Sequence, residues 1–232
     1  MKISIIIPVY NQLEYTKICL DSIKNSGGNP EIIIIDNAST DGTKGYLTGC
    51  TDIRVITNQE NFGCARAWNQ GLKAASGKWI IFLNNDVIVS LNWIEGLLEF
   101  AEQKQLAVVS PAVREGEYNY DMRQYSHEFT EQMKGMSRMK VGDGICFMAN
   151  RKVFDMIGLF DENFKIGQLE DTDFLRRVRL AGLKMGITGR SFIHHFGSIT
   201  QNAIRRNRPG NNYEHANRNY YYQKWKLWWY KR

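Results

Sequence analysis

Four times in its first 110 residues the chain repeats one pattern: a short apolar run, a cluster of small polar residues, then an amphipathic segment of helical period. The runs and their partner segments are 3–9 with 15–24, 31–35 with 42–47, 53–57 with 65–75, and 79–83 with 91–103. Strands buried on both faces read as continuous apolar runs, and their alternation with helices implies βαβ units around a mainly parallel sheet. The expected fold class is therefore α/β, Rossmann-like, with helices flanking a central sheet. Ligands of such sheets bind beyond the carboxyl ends of the strands. The candidate site is thus the set of polar clusters "PVYNQ", "DNASTDGT", "NQENFGCARAWNQG" and "NND".

A length of 232 residues at 43% hydrophobic fills one core and is short for two, so a single domain is expected. No stretch of about 18 apolar residues is present, and the first residues lack the layout of a secretory leader, which leads to the expectation of a cytoplasmic protein. Cys19, Cys50, Cys64 and Cys146 are scattered without a CxxC pair, which disfavours zinc or redox motifs and fits reduced, mostly buried thiols. The net charge of +6 suggests an anionic partner. Residues 114–140 lose periodicity and gain Met, Tyr and charge, the pattern expected of a mobile insertion.

Each cluster has a purely structural account beside a chemical one. Asp36 closes an isoleucine run, while Ser39, Thr40 and Asp41 are N-cap candidates and Gly42 suits a tight turn. The chemical account is a carboxylate at the strand-end crevice that accepts from a base or ribose. Neither GxGxxG nor GxxxxGK[ST] occurs, so the usual phosphate-binding loops are absent. In the third cluster Asn61 and Gly63 suit a turn, and Ala65, Ala67 and Gly71 permit close helix approach. Arg66 falls in a helical first turn, where a cation is unfavourable unless an anion is near.

Asn84, Asn85 and Asp86 stop a buried strand abruptly. These are common turn formers, but a carboxylate near the interior is costly unless paired, hydrated or bound to a metal. Magnesium or manganese on a diphosphate needs only one or two protein carboxylates, so Asp86 can suffice. Further on, Glu170, Asp171 and Asp173 crowd the first turn of a predicted helix over 170–180. The helix dipole accounts for one or two of them, whereas three together repel and raise a pKa toward the range of a general base. His194 and His195 follow another apolar stretch, and one of them could complete a metal site with Asp86.

The ordered series "IIPVYN", "DNASTDGT", "NFGCARAWNQG", "FLNNDV", "GLFDENF", "LEDTDF" and "HHFGS" resembles family 2 glycosyltransferases of the GT-A fold, near their bacterial rhamnosyltransferase-like members, over roughly residues 1–200. The resemblance implies a nucleotide-sugar half over 1–110, an acceptor and catalytic half over 111–200, and a basic, aromatic extension over 201–232. It implies that Pro8, Tyr10, Asn11, Asp36 and Asp41 contact base or ribose. Asn61, Gly63, Arg66 and Asn69 would lie along the donor, and Asn84, Asn85 and Asp86 at its sugar and diphosphate. "NND" stands where the family has DxD, so Asn84 removes one negative charge and should weaken or shift the dependence on a divalent cation, manganese or magnesium. Asp86 and His195 are the implied metal ligands, Asp171 the catalytic base with Glu170 beside it.

The implied reaction is inverting transfer of a hexosyl or rhamnosyl unit from a UDP- or dTDP-linked donor to an acceptor hydroxyl in bacterial cell-surface glycan synthesis. The alternative is a noncatalytic nucleotide-sugar or glycan-binding scaffold, motivated by Asn84. Binding of nucleic acid is not expected, because no motif of that kind accompanies the positive charge. Arg205, Arg206 and Arg208 could form a basic flap over the diphosphate, and Tyr220 to Tyr230 an aromatic, lysine-bearing helix. Packing onto the domain is the preferred account of these aromatics. The second is a peripheral contact at the inner face of the cell membrane, suited to a lipid-linked glycan acceptor.

Overall fold

The computed structural model describes residues 2–139, 144–207 and 212–227. The expected alternation is present: β1 (Ile3–Val9), α1 (Leu13–Lys24), β2 (Glu31–Asp36), α2 (Thr43–Thr48), β3 (Arg54–Thr57), α3 (Cys64–Ala74) and β4 (Trp79–Leu83). The chain continues through β5 (Val87–Val89), α4 (Trp93–Lys104), β6 (Val108–Glu115), α5 (Met122–Met133), β7 (Ser137–Arg138) and β8 (Cys146–Asn150). It ends with α6 (Lys152–Ile157), α7 (Glu170–Leu180), β9 (Met185–His195), α8 (Ile199–Asn207) and α9 (Tyr213–Lys224).

One sheet runs in the order β3-β2-β1-β4-β8-β6-β9-β5, with β7 paired to β9. The first four strands of that order are mutually parallel, as is the β6–β9 pair, while β8, β5 and β7 run against their neighbours. Strand side chains alternate between faces, so β1 supplies two cores. Ile5, Ile7 and Val9 pack with Leu20 and Ile23 of α1 and Trp93, Leu97 and Phe100 of α4. Ile6, between them, joins Trp68 and Leu72 of α3 and Phe174 and Val178 of α7. Small residues let α3 close in, as its sequence implies: a Cβ on Gly71 would stand 2.3 Å from Ile6 Cγ2.

The stretch 114–140, expected as a mobile insertion, instead carries α5 and β7 in its described part. Asp121 caps α5 by accepting from the Gln124 N–H at 2.7 Å. Tyr125 and Phe129 then lie 5.3 and 4.9 Å from the Phe192 ring of β9. The helix buries only one narrow stripe, which is why its sequence reads as irregular.

Candidate active site

Strand β4 ends where its ladder with β8 ends, at the Leu83–Cys146 pair. The next three residues carry the chain from β4 into β5. The Asn84 N–H donates to the Ile145 carbonyl (3.0 Å), and the Asn85 carboxamide turns inward to donate to Thr16 Oγ1 (3.0 Å). Asp86 accepts from the Ile199 N–H at Oδ2 (3.1 Å), at the start of α8. Register does the rest: Val87 pairs with His195, which sets His195 Nε2 3.3 Å from Asp86 Oδ1. Both side chains are buried. Burial disfavours the imidazolium, but the Asp86 carboxylate, then Glu115, outweigh it and raise the His195 pKa. Neither ring nitrogen of His195 has a hydrogen-bonding partner among the described residues, although Nδ1 lies 3.5 Å from Glu115 Oε2.

Helix α7 brings the second acidic group to the same space. Glu170 is 4% exposed, and its Oε2 has no partner among the described residues. Burial, then the Asp171 charge, pushes its carboxyl up to about 8. Burial also raises Asp171, against the opposing effect of hydrogen bonds from Thr172 and the Gly144 backbone. An open cavity of about 310 Å³ is bordered by Glu170, Asp171, Asp86 and His195 together. Pro8, Tyr10, Asn61, Asn84 and Asn85 line it too. The strand ends and the start of α7, distant in sequence, thus share one pocket.

Six of the expected donor residues do not line this cavity, for identifiable reasons. Asn11 and Asp41 brace neighbouring loops: Asn11 Oδ1 accepts from the Thr40 N–H (2.6 Å), and Asp41 accepts from Leu13 N–H (3.2 Å) and Thr43 Oγ1 (2.6 Å). Asp36 is fully buried, accepts from the Ser39 N–H (3.0 Å) and leaves Oδ2 without a partner among the described residues, beside a separate hollow under α2. Arg66 is exposed and stacks on Phe62, 3.7 Å from the ring centroid. Asn69 is buried; it both accepts from the Phe160 N–H and donates to the Phe160 carbonyl, at 3.0 Å each. These bonds and one to Glu162 hold the 160–162 loop, a use that the family resemblance behind the donor expectation did not indicate. Gly63 lies behind the wall, where φ 84° and a backbone neighbour exclude a side chain.

Several lining residues carry no signal in the sequence. Trp68 lies within the motif "NFGCARAWNQG" but is not singled out by it, Glu115 and Gly144 fell in or near the irregular stretch, and Gln168 and Gln201 belong to no recognisable motif. Gly144 is there because Asp171 is: a Cβ on it would stand 2.4 Å from Asp171 Oδ2. Cys64 is pushed well above its usual pKa by burial and the nearby carboxylates, which makes it an inert lining thiol.

Gly63 yields a prediction of its own. An added Cβ would lie 2.6 Å from Ile166 N, against backbone that also accepts from the Cys64 N–H (2.8 Å). Gly63→Ala is expected to destabilise the chain by about 1–3 kcal/mol through left-handed strain and overpacking. Urea unfolding measures this, and an unchanged midpoint would contradict it.

Helix α8 lines the cavity through Thr200, Gln201 and Ile204, and among the described residues neither arginine expected in the basic flap lines it. Arg205 is tied to Glu214 (2.6 Å) and Asn202 (2.8 Å), Arg206 is exposed, and Arg208 lies outside the described residues. Tyr221 is buried, Trp225 Nε1 donates to Asp173 Oδ1 (3.0 Å), and Lys224 pairs with both Asp161 and Asp173 at 2.7 Å. These described aromatics pack onto the domain, while residues 228–230 lie outside the described part. His194, neighbour of His195, contacts Tyr120 Oη through Nδ1 at 2.8 Å. Among the described residues no helix is long and apolar enough to cross a membrane.

Among the described residues no group of three or more His, Cys, Asp and Glu side chains is arranged to hold a metal alone. Asp86 and His195 form a pair, and a pair fits a divalent ion that takes its remaining ligands from phosphate and water. His195 Nε2 is buried and faces Asp86 Oδ1 at 3.3 Å, which suits the two side chains to a shared ion.

Comparison with known proteins adds relatives to this geometry. The chain is 33% identical over 124 residues to glycosyltransferase GlyG of Streptococcus pneumoniae serotype 4, which is 51% of this chain and 40% of that one. It is 30% identical over 191 residues to the uncharacterized glycosyltransferase EpsJ of Bacillus subtilis, covering 74% of this chain and 54% of EpsJ. The chain therefore spans only about half the length of these relatives. Among solved structures, GalNAc-T7 with UDP, GalNAc and Mn2+ superposes with a TM-score of 0.69 at 17% identity, over 84% of this chain and 44% of that one. S. aureus TarS 1–349 in complex with UDP gives 0.66 at 17%, over 84% and 60%. These likenesses identify the fold as GT-A. The model of the family described as Glycosyl transferase family 2 matches residues 4–158, well over half of the sequence, and the chain belongs to that family.

Proposed function

We propose that the cavity binds a nucleotide-diphosphate sugar, with UDP or dTDP as carrier, and passes its hexosyl or rhamnosyl unit with inversion to an acceptor hydroxyl of a glycan or lipid-linked glycan. The observation that carries this reading is the meeting of Asp86, His195, Glu170 and Asp171 around one cavity. UDP and UDP-GlcNAc complexes of TarS, which shares the fold, support the choice of donor class. Asp86 and His195 would hold a manganese or magnesium ion, which when bound supplies charge stabilisation to the departing diphosphate. Asp171 takes the proton from the acceptor hydroxyl as that oxygen attacks the anomeric carbon. Burial and the Asp171 charge push Glu170 up to about 8 and burial raises Asp171 as well, so the base role falls to Asp171 by its place in the motif that the resemblance identifies. Asn84, in place of a carboxylate, lowers the negative charge facing the ion and should weaken its binding.

The test is thermal stabilisation by UDP, dTDP, GDP and CDP, each with manganese, magnesium or EDTA, on the wild type and Asp86→Ala. A ligand at 100 times its Kd adds about 2.7 kcal/mol to stability, which for a chain of this size raises Tm by roughly 5–10 °C. The expected result is a metal-dependent rise with one nucleotide, lost in Asp86→Ala. A folded wild type that responds to none of the nucleotides would favour the noncatalytic scaffold.

A further inference from the structure

The chain enters α7 through a loop, residues 165–169, with an unfavourable backbone. Ile166 has φ 62°, Gln168 76° and Leu169 73°, all in the left-handed region. A β-branched residue is rare there, and each such conformation costs on the order of 1–3 kcal/mol unless the surroundings over-determine it. The loop leads directly into Glu170 and Asp171, and its Ile166 and Gln168 line the cavity.

The Cys64 N–H holds the Ile166 carbonyl at 2.8 Å, and the backbone on either side of Ile166 is held by one side chain. Asn217 of α9 is 1% exposed, and its carboxamide is spent on loop backbone. Its Oδ1 accepts from the Lys165 N–H at 2.9 Å. Its Nδ2 donates toward the carbonyls of Lys165, Gly167 and Gln168 at 2.9, 2.8 and 3.1 Å. Helix α9 does not need these bonds to stay attached, because Lys224, Tyr220 and Trp225 already anchor it to Asp161 and Asp173. Buried carbonyls facing one another around a tight loop need a donor between them, and Asn217 supplies it.

We propose that Asn217 is a positioning residue for the transfer site: its carboxamide clamps the left-handed loop 165–169 and so sets where Glu170 and Asp171 stand in the cavity. The inference rests on the reading that these carboxylates act in transfer. It extends that site to a helix beyond the stretch matched by the family model, which ends at residue 158.

The experiment compares wild type, Asn217→Ala and Asn217→Asp by hydrogen–deuterium exchange, without added nucleotide. In both variants, amides of 165–171 are expected to exchange at least tenfold faster, while β1, β4 and the Lys224 end of α9 keep their rates. Asp can still accept from Lys165 but cannot donate, so wild-type exchange in Asn217→Asp would overturn the clamp. Unchanged loop exchange in Asn217→Ala, or a rise shared equally by all of α9, would overturn it as well. A second arm adds Gln168→Gly, since glycine takes a positive φ without strain. Asn217→Ala/Gln168→Gly should recover several degrees of Tm over Asn217→Ala, and it replaces that variant should the single change not fold. A third readout is the fall of Tm with rising pH set by Glu170, which rehydration of a loosened loop should at least halve. None of these measurements uses a sugar donor, so a failed clamp and a failed transfer reading are told apart.

Discussion

Replacing Asp171 with Asn lowers kcat for sugar transfer by about 10²–10⁴-fold, the range a positioned general base contributes, while nucleotide affinity and Tm stay near wild type. The substitution is nearly isosteric and still accepts the Thr172 and Gly144 hydrogen bonds, so the start of α7 keeps its shape. What it loses is the ability to take a proton. Glu170 is a poor substitute at neutral pH, because burial and the Asp171 charge push its carboxyl up to about 8. The contrast with Asp86 is diagnostic: Asp86→Ala should remove metal-dependent nucleotide binding, and Asp171→Asn should remove turnover alone. The measurement is steady-state transfer beside a UDP titration, and a kcat within threefold of wild type would eliminate Asp171 as the base.

The parts of this architecture that were legible in the sequence are those specified locally. Continuous isoleucine runs marked β1 and β2 because a strand covered on both faces needs no polar side. The polar stop at 84–86 marked residues that line the cavity, because Asp86 ends in a wall where a partner or an ion must satisfy it. Glu170 and Asp171 stood out for the same reason, as carboxylates crowded beyond what a helix dipole needs.

What was not legible depends on pairing across the chain. Strand β8 inserts between β4 and β6 although its "CFMAN" is too short to carry a period, and its partner Trp79 lies some 70 residues earlier. The 114–140 stretch looked irregular because α5 buries little beyond the face that meets Phe192. Asn69 and Asn217 carry the same side chain and are both buried, yet one fixes a structural loop and the other a loop at the cavity. Neither use has a sequence signature, since the backbone groups they satisfy become neighbours only in the folded sheet.

Glu170 itself carries the last prediction, which is one of stability. An unfolded glutamate titrates near 4.3, whereas the folded Glu170 titrates near 8. Between those values the folded chain holds a proton that the unfolded chain does not, so stability falls as pH rises. The contribution of the protonated carboxyl is complete below about pH 4.3 and lost as pH passes through about 8. Glu170→Gln keeps the neutral shape at every pH. Its Tm should match or trail that of wild type at pH 5 and exceed it at pH 9, by an amount on the order of a few kcal/mol, or roughly 5–10 °C. Because the two carboxylates titrate as a pair, Asp171→Asn should shrink the same difference by removing the charge that helps hold Glu170 neutral. Melting curves for wild type and Glu170→Gln that run parallel from pH 5 to 9 would mean that Glu170 is ionised throughout. The pair would then present two carboxylates to the acceptor, and the division of labour between them would have to be abandoned.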